Sequence, residues 1–239
     1  VGTGPGSPEH LSPRALQALQ ECDVVAGYKT YIGLISGLIE NKEIISTGMT
    51  REIDRCRSAI DLAARGRRVA LVSSGDPGVY GMAGLVLEML HADGLLGRLE
   101  VEIVPGITSA TAAAARLGAP LMHDFTVISL SDLLTPWDVI KKRLEAASAG
   151  DFVIVLYNPA SHKRVEQIIE ARDIMLRHKP SSTPVGIVRN ALREDETVVI
   201  TDIENMTGQL IDMLTVVIVG NSATRHLGDF MVTPRGYRL

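Results

Sequence analysis

The stretch VALVSSGDPGVYG, Val69 to Gly81, decides how the rest of the chain is read. Its opening residues form an apolar run, and Met82 to Leu90 behind it carries helical spacing. Gly75, Asp76, Pro77 and Gly78 therefore stand where a strand ends and a helix begins. Glycines let backbone N–H groups approach a bound group, and helix N-termini favour acceptors, so this position predicts a ligand loop.

Working outward, strands and helices alternate. Val1-Gly2 reads as the end of a strand, so the chain is expected to start inside an element. Ser12 before Pro13 reads as an N-cap with proline in the first turn, opening a helix to about Glu21. Asp23 to Ala26 and Glu43 to Ser46 are strand-like, Tyr31 to Ile39 a helix, and Thr50 to Arg65 a helix with Ile53, Cys56, Ile60 and Ala64 on one face. Strand Val101 to Val104 and helix Ser109 to Leu117 follow the opening stretch. This alternation is the pattern of an α/β unit with a mainly parallel sheet.

After Gly118-Ala119-Pro120 the pattern changes. Phe125 to Leu130 and Phe152 to Tyr157 read as strands around a helix from Trp137 to Ala149, and Arg164 to His178 as another helix. Val185 to Arg189, Thr197 to Thr201 and Thr215 to Val219 are strands with no full helix between the first two, which predicts antiparallel pairing. Two domains are expected, a mainly parallel α/β domain at 1–120 and a mixed α/β domain at 121–239.

The chain has 239 residues, 46% hydrophobic and 22% charged, with a net charge of −4, which fits a folded globular protein. An acidic balance with pI near 5.9 argues against a general nucleic-acid binder. The cluster Arg65-Gly66-Arg67-Arg68 reads as solvated charge between a helix and a strand. The apolar run Leu214 to Val219 is far shorter than the roughly 20 residues that span a bilayer. No signal-peptide pattern is read, and Cys22 and Cys56 have neither CxxC spacing nor the count for a disulfide scaffold, a zinc site or an iron–sulfur domain. The expected location is a reducing cytoplasm, with no membrane partner, and no metal site is expected.

Four loops share the carboxyl end of a predicted strand, where open α/β sheets bind ligands. They are Gly2-Thr3-Gly4-Pro5-Gly6, Gly75-Asp76-Pro77-Gly78, Pro105-Gly106-Ile107-Thr108-Ser109 and Tyr157-Asn158-Pro159. Each taken alone is ordinary turn chemistry. No Gly-Lys-Ser/Thr follows the glycines, as a P-loop would need, and GxGxG with proline at the helix entry departs from the dinucleotide fingerprint. GxSxG and HExxH are absent. These loops lack the charge that a triphosphate demands.

GTGPG, SSGDPGVYG, VPGITSATAAAARLG, LYNP and VRNA, in this order, resemble the tetrapyrrole methylases, which use S-adenosylmethionine. The resemblance covers nearly the whole chain. Further segments, GYKTY (27–31), STGMTREIDRC (46–56), HDFTVISLSDLLTPW (123–137) and NPASHKR (158–164), resemble the cobalamin-forming branch of that family. The resemblance implies a kidney-shaped, two-domain homodimer acting on a tetrapyrrole, with the donor in the crevice between domains. Its donor contacts would be Pro5, Ser74, Gly75, Asp76, Val79, Thr108, Ser109, Asn158 and Ala191. Small polar groups and close backbone can read the zwitterionic amino acid, ribose and adenine edge of such a donor.

The implied reaction moves a methyl group to a macrocycle carbon and contracts the ring, a step that a positioned base could assist. Sirohaem-forming relatives place a catalytic aspartate after the second strand, where this chain has Tyr28 followed by Lys29. His123 and Asp124 are the first candidates for proton handling, with Asp132 and Tyr28 behind them; a hydrogen-bonded structural histidine and a helix-capping aspartate are the alternatives. The many carboxylates of the substrate call for a local cationic rim, with Lys29, Arg51 and Arg55 as candidates and solvated surface as the alternative. His162-Lys163-Arg164 has a comparable claim, and Trp137 reads as a core anchor. Protein- and RNA-methylating members of the same fold, diphthine synthase and a ribosomal-RNA ribose methylase, would share the donor loops. A non-catalytic nucleotide-binding module is the alternative from another class.

Overall fold

The computed structural model describes every residue except Met49, His162, Lys163 and Leu239. The chain divides into two compact units, Val1–Thr108 and Ser109–Leu239.

In the first unit, β1 (Val24–Tyr28) lies between β2 (Glu43–Thr47) and β3 (Val69–Leu71), all parallel. Beyond β3 one parallel bridge, Gly2 with Ser73, and one lone bond extend the sheet: Thr3 N–H donates to Ser73 O (2.9 Å), and Gly2 N–H to Val104 O (2.9 Å). Helix α1 (Pro13–Glu21) begins as the sequence predicts, with Ser12 Oγ accepting from Ala15 N–H at 3.1 Å. Its Leu19 packs with Cys22, Val25, Ile35 and Val72 on one face of the sheet. On the other face α3 (Glu52–Ala64) and α4 (Ala83–Ala92) bury Cys56, Ile60, Met89 and Leu90. The expected helix over Tyr31–Ile39 is instead α2 (Lys29–Leu34) and a 3-10 turn at Ser36–Leu38; Gly33 and Gly37 are the weak helix formers there. Val101–Val104 forms no strand. Val101 and Ile103 stay exposed, and Glu102 turns to pair with Arg14.

The second unit opens with α5 (Ser109–Leu117) and short β4 (Gly118–Ala119). Its main sheet joins β5 (Phe125–Ser129), β6 (Val153–Tyr157), β7 (Pro184–Arg189), β8 (Thr197–Asp202) and β9 (Thr215–Val219) in the order β5-β6-β9-β7-β8. β5 and β6 are parallel and the other pairings antiparallel, including the expected β7–β8 pair. β6 and β9 are buried along their whole length because both faces are covered, which is why VIVLY and TVVIV read as continuous apolar runs. Ile154 and Leu156 face α6 (Trp137–Ala149) and α7 (Glu166–Met175), whereas Val153, Val155 and Tyr157 face α5. A small sheet of β4, β10 (Arg225–Leu227) and β11 (Phe230–Val232) lies outside the sequence reading.

The division after Thr108 differs from the expected one after residue 120. The alanines of α5 bring it close against the second sheet, and Gly186 of β7 leaves the space that Leu117 fills; a Cβ there would stand 2.3 Å from Leu117 Cδ1. Small-residue faces set which sheet a helix can approach, and periodicity alone does not name that sheet.

Candidate active site

In the first unit three of the predicted loops interlock through their backbones. Gly4 N–H donates to Gly75 O (3.1 Å) and Gly75 N–H to Gly4 O (2.7 Å). The Asp76 carboxylate receives Gly78 N–H on Oδ1 (2.8 Å) and Gly106 N–H on Oδ2 (3.1 Å). Asp76 thus fastens the Pro105–Thr108 loop to its own turn, a function that a carboxylate with two acceptor oxygens serves well. The glycines are required by proximity. A Cβ on Gly106 would lie 2.2 Å from Gly75 O, and one on Gly2 2.6 Å from Gly106 N. Pro5 is buried, Ser74 and Thr108 are half-buried, and Val79 is exposed. A recess of about 340 Å³ opens between Glu9–Ser12 and Pro105–Ile107.

Tyr28 ends β1 at the carboxyl end of this sheet and meets Tyr31 edge-on, with centroids 5.2 Å apart. Lys29 begins α2 beside it and is exposed. Arg51 is exposed and paired with Asp54. Arg55 departs from the rim reading: it is 2% exposed, donating to Thr47 Oγ1 (2.8 Å), Gly48 O (3.0 Å) and Met82 Sδ (3.2 Å). It clamps the end of β2 to α3, because its apolar stem lies on the buried face of that helix.

In the second unit, the parallel directions of β5, β6 and β7 place Ser129–Asp132, Asn158 and Asn190–Ala191 at one end of the sheet. Asn158 adopts φ +50°, a left-handed conformation that asparagine tolerates, and its Nδ2 donates to Ser129 Oγ (2.9 Å). Arg164 Nη1 donates to Leu130 O (3.0 Å) and Asn158 O (2.6 Å), with Nε 3.9 Å from the Asp132 carboxylate. Burial pushes the guanidinium pKa down, and Asp132 opposes that shift. Asp132 also accepts from Gln167 Nε2 (2.9 Å), so it is anchored by α7 rather than capping α6. The Tyr157 hydroxyl accepts Ala110 N–H (2.6 Å), satisfying an otherwise orphan donor in the first turn of α5 beside Ser109. Ala191 is buried between Asn190 (φ +52°) and Leu192 (φ +60°), and Glu196 holds the turn by accepting Leu192 N–H (2.6 Å).

His123 and Asp124 precede β5 and so lie at the opposite end of this sheet from Asn158, roughly 17 Å of strand away. His123 Nδ1 accepts Asp124 N–H (2.9 Å), and both side chains are exposed. They border a recess of about 400 Å³ with Asp151, Ser222 and Arg235. There Asp151 ties its loop to that of Ser222 by accepting Ser222 N–H (2.9 Å), with Lys179 Nζ 3.3 Å away. The structure therefore brings Asp132 together with Asn158 but not His123 or Asp124. His162 and Lys163 lie outside the described residues. Trp137 packs against the core, its Nε1 donating to Glu170 (2.6 Å), as an anchor would. The roles of Tyr157, Leu130 and Glu196 escaped sequence reasoning. The available signal was a tyrosine closing an all-apolar strand before Asn-Pro.

A family model described as Tetrapyrrole (Corrin/Porphyrin) Methylases matches residues 1–207. The chain belongs to the tetrapyrrole methylases. Among methylases of this family, it is 52% identical over 240 residues to the cobalt-factor III methyltransferase of Priestia megaterium, matching all of this chain but 44% of that protein. It is 50% identical to the probable cobalt-factor III C(17)-methyltransferase of Salmonella typhimurium (100% of this chain, 98% of the other). The precorrin-3B C(17)-methyltransferase of a Sinorhizobium species is 39% identical, with 99% and 95% covered. A solved methylase structure, the methyltransferase CobJ, superposes with a TM-score of 0.93 at 39% identity, covering 98% of this chain and 97% of that one. No described helix is long and apolar enough to cross a membrane, and the described residues hold no cluster of His, Cys, Asp and Glu suited to a metal ion.

Proposed function

We propose that this protein transfers a methyl group from S-adenosylmethionine to C17 of cobalt-factor III, with contraction of the ring, in cobalamin biosynthesis. The observation that carries the reading is the 50% identity to the Salmonella relative along essentially the full length of both chains. The cobalt-containing substrate is preferred over precorrin-3B because the relatives at 52% and 50% carry the former name and the one at 39% the latter.

The loops fit the donor by their chemistry. They present hydroxyls, backbone groups, one asparagine and the Asp76 carboxylate, with no lysine or arginine in Gly2–Gly6, Ser73–Gly81 or Pro105–Thr108. Such groups, without a cationic side chain among them, suit a ligand bearing its own ammonium, carboxylate and sulfonium. The residues proposed as donor contacts are Pro5, Ser74, Gly75, Asp76, Val79, Thr108, Ser109, Asn158 and Ala191. When bound, S-adenosylmethionine supplies an electrophilic methyl group and a thioether leaving group. The chain's contribution is positioning, which can supply about 7–11 kcal/mol of a barrier. Tyr28 and Asp132, each at the carboxyl end of a strand, are the groups proposed to hold or accept a substrate proton. Lys29 and Arg51 would meet substrate carboxylates at the surface. The same reading makes the protein a cytoplasmic homodimer.

The test is mass spectrometry of the purified protein incubated with S-adenosylmethionine and either cobalt-factor III or precorrin-3B. Gain of one methyl group on the cobalt compound, with the absorption change of a contracted ring, is the expected result. Donor binding without methylation of either compound would refute the assignment and direct attention to protein or RNA substrates.

A further inference from the structure

The described ladder between β5 and β6 ends at a proline. Ser129 lies opposite Tyr157, and Leu130 N–H donates to Tyr157 O at 2.9 Å. In a parallel ladder the next donor, to Leu130 O, would be the amide of residue 159. That residue is Pro159, which has no N–H. Leu130 is fully buried, so its carbonyl would be left without the ladder partner. Arg164 takes that place: one nitrogen, Nη1, donates both to Leu130 O and to Asn158 O. Ser161 and Arg164 exchange both of their backbone hydrogen bonds (2.9 and 3.1 Å), which turns the chain back so that the side chain reaches the strand ends. The guanidinium sits in a largely enclosed position, its side chain 11% exposed, with Asp132 as the carboxylate nearest it.

We propose that Arg164 is a positioning residue that joins the Asn158 turn to the Ser129–Asp132 turn and so sets the donor-binding end of the second sheet. This rests on the reading of Asn158 as a donor contact. Asn158 Nδ2 already binds Ser129 Oγ, so with Arg164 the two turns are tied at a side chain and at two carbonyls. The pair of ties reinforces the left-handed conformation that Asn158 tolerates by its own chemistry. Arg164 touches neither donor nor substrate in this scheme; it acts through Asn158. The same guanidinium stands beside Asp132, so its loss would also remove the cation facing the carboxylate proposed to handle a substrate proton, which Gln167 would still hold.

The experiment measures the dissociation constant of S-adenosylhomocysteine by titration calorimetry on the wild-type protein, Arg164→Gln, Arg164→Lys and the double variant Arg164→Gln/Pro159→Ala, with a melting curve for each. Arg164→Gln is expected to weaken binding about tenfold or more, the loss of hydrogen bonds from a charged donor. Arg164→Lys keeps the charge on a shorter stem and is expected to fall between. Pro159→Ala returns an N–H at the position facing Leu130 O and is expected to recover part of the affinity lost in Arg164→Gln, which a general loss of stability or charge would not do. If both single variants bind within twofold of wild type, the positioning role is wrong. If Arg164→Gln does not fold, Arg164→Lys decides, and wild-type affinity there overturns the proposal. Failure of the wild-type protein itself to bind the ligand would instead overturn the donor reading, and the role of Arg164 with it.

Discussion

Gly106→Ala is the sharpest test of the interlocked loops. The added Cβ would lie 2.2 Å from Gly75 O and 2.9 Å from the Gly2 carbonyl carbon, where real contacts do not fall below 3.0 Å. The Gly75 and Gly106 segments must therefore separate by at least 0.8 Å, and both obstacles are backbone, so no rotamer change relieves them. Overpacking of this kind costs about 1–3 kcal/mol. For a chain of this length that corresponds to a fall in Tm of roughly 2–12 °C. The separation also stretches the 3.1 Å bond from Gly106 N–H to Asp76, which aligns two of the proposed donor loops. Loss of that alignment is expected to weaken S-adenosylhomocysteine binding by about tenfold, the equivalent of one hydrogen bond. The assay is titration calorimetry beside a melting curve, with Gly84→Ala as the control. Gly84 lies in α4 with nothing within 4 Å of its virtual Cβ, and its substitution should raise stability by up to about 1 kcal/mol without altering affinity. Wild-type affinity and Tm in Gly106→Ala would refute the interlocked-loop account.

Asp76→Asn keeps one acceptor oxygen but turns an NH2 toward one of the two N–H groups that the carboxylate now receives, so a loss of about 1–3 kcal/mol is expected, visible as a lower Tm and weaker donor binding. His123→Ala should change the donor dissociation constant less than twofold, since His123 lies at the far end of its sheet from Asn158; a large loss would place the donor elsewhere. Cys22 and Cys56 are both buried and free, so Ellman's reagent at pH 8 should find no rapidly reacting thiol until denaturant is added, when both should react. Burial pushes the Cys56 thiol from 9.0 up to about 11. The folded state therefore holds this proton more tightly, its contribution to stability is complete below pH 9, and it is lost as pH rises from 9 to 11. Alkaline unfolding titrations of wild type and Cys56→Ala should differ in slope within that window.

Where the sequence reading succeeded, the controlling physics was local. Ser12 and Pro13 announce the start of α1 because a hydroxyl acceptor and a fixed φ act within one turn. The lack of room for a helix between Val185–Arg189 and Thr197–Thr201 left antiparallel pairing as the connection, and β7 and β8 pair that way. The loops were legible because Gly, Pro and Asp collect where strands end. Arg55 was misread because its burial depends on Thr47, Gly48 and Met82, which only the folded unit assembles around it. For the His123–Asp124 pair, proposed from sequence for proton handling, residue type and spacing assigned no position, and the direction of β5 sets the pair at the far end of the sheet from Asn158. Val101–Val104 has the composition of a strand, yet Gly2 gives it a single backbone bond.

By itself the sequence determined the α/β alternation, the parallel first sheet, the mixed second sheet and the set of glycine-rich turns, because each follows from spacing and from the backbone preferences of single residues. Tertiary structure alone decided that α5 belongs to the second sheet, that Asp76 spends its charge on loop amides, and that Arg164 replaces the donor Pro159 lacks. Those outcomes depend on which carbonyls and small residues meet across the fold, and the partners stand up to 69 positions apart in the chain.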